Sequence, residues 1–169
     1  MPFGYFNHLS AARKKVYLRS DAIESLALPP GPSLQDVLTR IQEHLSAEQR
    51  VALERASQQL LDELTRRFNV PPVRVRIRNV RPSGNWGELH GLYEPAEQSP
   101  AVISTWMRTV ARKQMVAYKT FVRTLLHEFC HHIDYELIKL PETFHTGGFY
   151  KREAALFRAI HEGASPWEK

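Results

Sequence analysis

The ten residues LLHEFCHHID, positions 125–134, hold three of the chain's eight histidines and its only cysteine. Their reading decides the architecture, because His127 through His131 spell H-E-x-x-H. On a helix, residues four apart are turned by only about 40° relative to one another, so both imidazoles leave one face and can reach one ion. Neutral imidazole suits zinc, and a catalytic zinc keeps three protein ligands and one position for water. Glu128, next to the first histidine, is placed to take a proton from that water and deliver it to a leaving amine. On another face Val122, Leu126, Phe129, Ile133 and Leu137 recur at helical spacing and are expected to anchor the helix in a core. Cys130 lies on the apolar side, where a thiol packs as a small hydrophobe. His132 points away from the histidine pair and reads as a surface or hydrogen-bonding residue.

Three residues compete to be the third ligand. Asp134 is three positions after His131 on the same face, but its short side chain projects nearly parallel to the imidazoles. It suits a supporting role better, orienting a histidine or fixing the following loop. Glu153 lies 22 residues after His131 on the next expected helix. His145 sits in PETFHTGGFYKRE, where Gly147 and Gly148 would let the chain turn tightly beside a metal and Phe149 would anchor the last helix. His145 is favoured, and Glu153 and Asp134 stay open.

Working outward, the long helix carrying the motif is expected over residues 116–140, stopped by Pro141, with a closing helix over 149–161. Upstream, VRVRIRNV at 73–80 alternates apolar and basic residues with period two, as a half-buried strand does. Arg74, Arg76 and Arg78 then share one face, and with Arg81 could hold nucleic acid, although a solvated sheet face is the simpler reading. A second strand is expected at 102–110, with Arg112 and Lys113 leading into the long helix. Residues 86–93, WGELHGLY, are the candidate sheet edge for a substrate because glycines allow close backbone approach. Before the first strand, Ser46 and Gln49 fit a capping box for a helix reaching Phe68, whose stripe is Val51, Leu53, Leu60, Leu61, Leu64 and Phe68. ALPPGPS, residues 27–33, packs three prolines and a glycine into seven positions. It divides a peripheral segment of helical character, residues 1–32, from a single domain at 33–169. The order of helices, strands and two final helices suggests an α+β fold in which a mixed sheet packs against the motif helix.

The chain of 169 residues, 43% hydrophobic, is long enough for one core. Its 23 basic and 18 acidic residues give a net charge of +5 that permits an acidic partner without requiring one. One cysteine excludes an internal disulfide framework and fits a reducing compartment. The first residues do not read as a secretory signal and no apolar run is long enough to cross a bilayer, so a soluble cytoplasmic protein is expected.

HEFCHH followed by HTGGF resembles the SprT-like family of zinc metallopeptidases, whose pattern is H-E-x-x-H, a short spacer and a third histidine in an H-G-x-x-F-like context. The similarity in element order spans residues 45–160, and its specific motifs cover 127–149. Thr146 intervenes between His145 and the glycines here, and the four-cysteine C-terminal zinc ribbon of many members is lacking. The resemblance implies a small zincin-like domain with one zinc ion at His127, His131 and His145, and Glu128 as catalytic base. The expected activity is hydrolysis of protein or peptide substrates. His90, Tyr93, Tyr135 and Tyr150 are candidates for a donor to the oxyanion. Two alternatives stand beside it: a DNA-associated protein acting on DNA-bound proteins, and a purely structural zinc domain.

Overall fold

A computed structural model describes residues 2–80, 83–84, 87–88, 90–109 and 114–162. Several expectations fall outside these residues: Trp86 and Leu89 of the candidate edge, Arg81 of the basic face, Val110, Arg112 and Lys113.

The alternation of VRVRIRNV produces strand β1 (Val73–Val80), with Val73, Val75 and Ile77 buried and Arg74, Arg76 and Arg78 exposed. Short ladders at β2 (Ser83–Gly84) and β3 (Gly87–Glu88) pair with each other. Then come β4 (Gly91–Glu94) and β5 (Ala101–Arg108). The main sheet has the order β1-β5-β4, parallel between β1 and β5 and antiparallel between β4 and β5. Ala101, Ile103 and Thr105 sit opposite Val73, Val75 and Ile77, so one sheet face is buried and, but for Thr105, apolar.

Five helices cover and flank it: α1 (Ala11–Ala22), α2 (Gln35–Ser46), α3 (Arg50–Phe68), α4 (Tyr118–Glu136) and α5 (Gly147–Glu162). Together with the mixed sheet they make an α+β fold among the described residues. Helix α3 buries Leu53, Leu60, Leu61, Leu64 and Phe68 against β1, whereas Val51 is 51% exposed and outside the stripe assigned to it. The expected capping box is also corrected. Ser46 is the last residue of α2, Glu48 takes a left-handed backbone at φ 57°, and α3 begins only at Arg50. Gln49 turns its side chain to His44 Nδ1, 2.8 Å away, instead of back to the helix start.

Helix α4 is shorter than its apolar pattern suggested. Val116 still donates its N–H to Met107 O of the sheet at 2.7 Å, and the chain past Glu136 folds back, with Leu140 N–H on Asp134 O and Lys139 at φ 58°. Pro141 is therefore not what stops it, and Leu137, 38% exposed, leaves the buried face formed by Val122, Leu126, Phe129 and Ile133. Helix α5 starts at Gly147, so both glycines belong to its first turn rather than to a tight turn before it. Gly148 is there for a packing reason: a Cβ would come within 2.3 Å of the Asp21 carbonyl oxygen, at the end of α1.

The N-terminal segment contributes buried Tyr17 and Ser20, and α1 lies against α5. The proline-rich stretch is tied to α3 by Arg67, which donates to Pro32 O and to Glu63 Oε1. No described helix is long and apolar enough to cross a membrane.

Candidate metal centre

His127 and His131 leave α4 on one face, as their spacing requires, and the loop after α4 brings His145 to them. His145 Nε2 lies 3.0 Å from His127 Nε2 and 3.0 Å from His131 Nε2. Each of the three offers a nitrogen within 4.8 Å of the others. Ligands about 2.0–2.1 Å from a tetrahedral zinc stand about 3.3 Å apart, so the spacing is close to that of a three-histidine site.

The hydrogen bonds fix which nitrogens face inward. His127 Nδ1 donates to Glu153 Oε2 at 2.8 Å, leaving Nε2 without a proton in the neutral ring. Thr143 donates its hydroxyl to Asp134 Oδ2 at 2.6 Å, so its oxygen accepts from His131 Nδ1 at 2.8 Å, and His131 Nε2 is likewise bare. Two bare lone pairs thus converge on His145, whose single Nε2 proton can serve only one of them. A cation at the centre satisfies all three, and the donor set fits a metal ion. Burial, with the neighbouring His127 and His145, holds His131 down to about 3 and keeps it in the neutral, ligating form. Burial also lowers His145.

Glu153 and Asp134, the two other candidates for the third position, both act behind the histidines. Glu153 orients His127. Asp134 is fully buried and binds Arg152 Nη2 at 2.8 Å through Oδ1 while holding Thr143 through Oδ2. Arg152 in turn donates to Ser20 O at 2.6 Å and to Ile23 O, which joins the end of α1 to the support of His131. Thr143 and Arg152 were not singled out from sequence. The available signal was adjacency, since Thr143 is two residues before His145 and Arg152 directly precedes Glu153. Phe149 is more than an anchor: its buried ring lies 4.7, 5.0 and 5.2 Å from those of His131, His127 and His145 and floors the cluster. Thr146, the residue that departs from the family pattern, caps α5 by accepting Phe149 N–H at 2.9 Å.

His132 is not a surface residue. It is 0% exposed, donates from Nε2 to Pro71 O at 2.7 Å, and therefore accepts at Nδ1 from the Tyr93 hydroxyl at 2.9 Å. Burial lowers its basicity and keeps it neutral. Cys130 is buried in the helix interior, where desolvation pushes its thiol up.

No match to the chain was found among family models, curated proteins or solved structures. The resemblance to SprT-like peptidases rests on the motif residues alone.

The cluster lies at the base of a cleft of about 670 Å³. One wall is the β4 strand with His90, Gly91, Leu92, Tyr93 and Pro95; the other follows α4 from Lys119 to Tyr135. Glu128 lines the cleft beside the histidines, and burial pushes its carboxyl up to about 7, with His127 opposing and Glu153 adding to the rise. Gly91 is needed here, because a Cβ would stand 2.6 Å from Glu128 Oε1. No other described residue hydrogen-bonds Glu128, so its oxygens are available to something in the cleft.

Proposed function

We propose that the chain is a zinc-dependent peptidase of SprT-like, zincin type, with zinc held by His127, His131 and His145 and with Glu128 as general base. The observation that carries this reading is the placement of three inward-facing Nε2 atoms and a buried, otherwise unpartnered glutamate at the base of an open cleft. A zinc ion bound there supplies a Lewis acid for a substrate carbonyl and acidifies water. Glu128, poised near neutrality by burial, takes the proton of the attacking water and hands it to the leaving amine. The outer edge of β4 presents backbone groups to an extended peptide.

Of the four candidate oxyanion donors, Tyr93 is removed by its own chemistry, since its proton is given to His132. Tyr150 stacks on the His145 ring at 5.9 Å and does not line the cleft. Tyr135 does line it, one helical turn beyond His131, and the Thr143 N–H faces its oxygen, which leaves the hydroxyl proton free to donate. Among the three tyrosines we assign the role to Tyr135, and His90, which also lines the cleft, is the remaining candidate. A structural zinc site closes its fourth position with protein, whereas the histidines here face a cleft.

The test is to load the full chain with zinc, measure metal content, and follow digestion of an unfolded protein. Activity should disappear on chelation and return with zinc, and Glu128→Gln should keep the metal and lose about 10²–10⁴ in rate. Full proteolysis by Glu128→Gln, or a zinc protein with no hydrolysis, rejects the reading.

A further inference from the structure

The cleft has a direction. Gly91, at the start of β4, stands over Thr124 and Glu128, while Tyr93 reaches His132 and stacks on Tyr135 at 6.0 Å. Strand β4 and helix α4 therefore run the same way. Among the described residues β4 pairs only with β5, and its other edge faces the cleft. A peptide that adds to this edge in the antiparallel sense, the more stable pairing per residue, runs against both β4 and α4. Its amino-terminal part then lies towards Tyr93 and Tyr135, and its carboxyl-terminal part towards the first turns of α4.

The two ends differ in charge. Lys119 and Arg123 lie two turns and one turn before His127, about 12 and 6 Å along the helix axis, and both line the cleft. Both are exposed, and neither meets a carboxylate among the described residues. Arg123 is also positioned, its guanidinium stacked over Phe157 at 4.5 Å. The other end is aromatic and acidic. Glu94 closes β4 there, and the charge of Glu136 acts on the Tyr93 hydroxyl.

Resting on the peptidase reading above, we infer that the cleft selects an extended peptide with an aromatic or apolar side chain before the cleaved bond and a carboxylate within about four residues after it. The length comes from geometry: the basic pair lies about 6–12 Å beyond the reacting centre, and an extended chain advances about 3.4 Å per residue. The carboxylate is that of Asp or Glu, or that of the peptide's own carboxyl terminus.

The experiment maps cleavage sites by mass spectrometry, using the zinc-loaded full chain and a library of amidated peptides randomised on both sides of a fixed centre. Asp and Glu should be enriched up to about fivefold after the cleaved bond, and not before it. Lys119→Glu combined with Arg123→Glu should shift the preference to Lys and Arg, and the glutamine pair should abolish it. Repeating the digestion with free carboxyl termini separates the two sources: new cleavage near the end of peptides lacking Asp and Glu assigns the terminal carboxylate. A turnover-free readout is binding to Glu128→Gln of the best peptide and of its Asp→Lys counterpart, where the first should bind more tightly. Cleavage without acidic preference, acidic preference on the amino-terminal side, or equal binding of the two peptides overturns the inference and leaves the peptidase reading intact. Absence of any cleavage overturns both.

Discussion

The two histidines of α4 and the histidine of the following loop are held in different ways. His127 and His131 are fixed through their rings, by Glu153 and by the chain Thr143, Asp134, Arg152. His145 is fixed mainly through its backbone. Tyr5 donates its hydroxyl to His145 O at 3.0 Å, and the flanking Phe144 and Thr146 are buried against α1 residues Tyr17 and Ser20. A helix delivers two histidines at set positions, and only ring orientation is left to control. A loop must first be placed, and this one is placed by a segment more than a hundred residues away in sequence.

The strongest way to break the ring-held half is Asp134→Ala. Asp134 and Arg152 are 0% and 2% exposed, so the variant leaves a buried guanidinium without its carboxylate and frees Thr143 as well. Removal of one partner of such a pair costs about 3–5 kcal/mol, read as a lower urea midpoint. Thr143→Val is the sharper cut, because it preserves the ion pair and removes only the hydroxyl that links His131 to Asp134. Zinc affinity, measured by chelator competition, should fall about 10–100-fold, with a smaller loss of stability than Asp134→Ala gives. Unchanged affinity would mean that the helix alone orients His131.

This contrast also explains what the sequence made legible. The pair on α4 comes from a four-residue spacing, and β1 from strict alternation, since both are local periodicities. Of the two readings of His132, surface or hydrogen-bonding, the second holds, and the sequence could not choose between them because its partners, Tyr93 and Pro71, come from distant elements. The sequence pattern puts the start of α3 too early, at Ser46, because a left-handed Glu48 and the turn of Gln49 towards His44 override a plausible cap. The glycines stand out in the sequence, but the need for Gly148 lies in the Asp21 carbonyl, which no local pattern announces.

The backbone-held half calls for a gentler change. Tyr5→Phe removes one hydrogen bond to His145 O and keeps the ring among Tyr17 and Phe144. A single such bond is worth about 0.5–1.5 kcal/mol, so zinc affinity should weaken by no more than about tenfold. A loss as large as that of Thr143→Val would show that the N-terminal segment positions the centre as strongly as the ring contacts do.

The smallest effect comes from a carboxylate nearer the surface, Glu63, whose partners are the exposed Arg66 and the largely buried Arg67, the counterpart of Asp134 with Arg152. Glu63 receives hydrogen bonds from Arg66 and Arg67, with Arg66 the larger influence, and its carboxyl is held down to about 2. A lowered folded-state value contributes stability above the ordinary carboxylate range, and that contribution is lost as pH falls through about 4.5 towards about 2. Glu63→Gln should therefore lower the urea midpoint at pH 7, and the gap to wild type should close on acidification across that window. Surface pairs are worth about 0.2–1 kcal/mol after solvent screening, well below the cost expected at Asp134. A gap that persists to pH 2 would assign the effect to packing of the Glu63 stem and not to its charge; a gap as large as that of Asp134→Ala would remove the distinction between the buried and the surface pair.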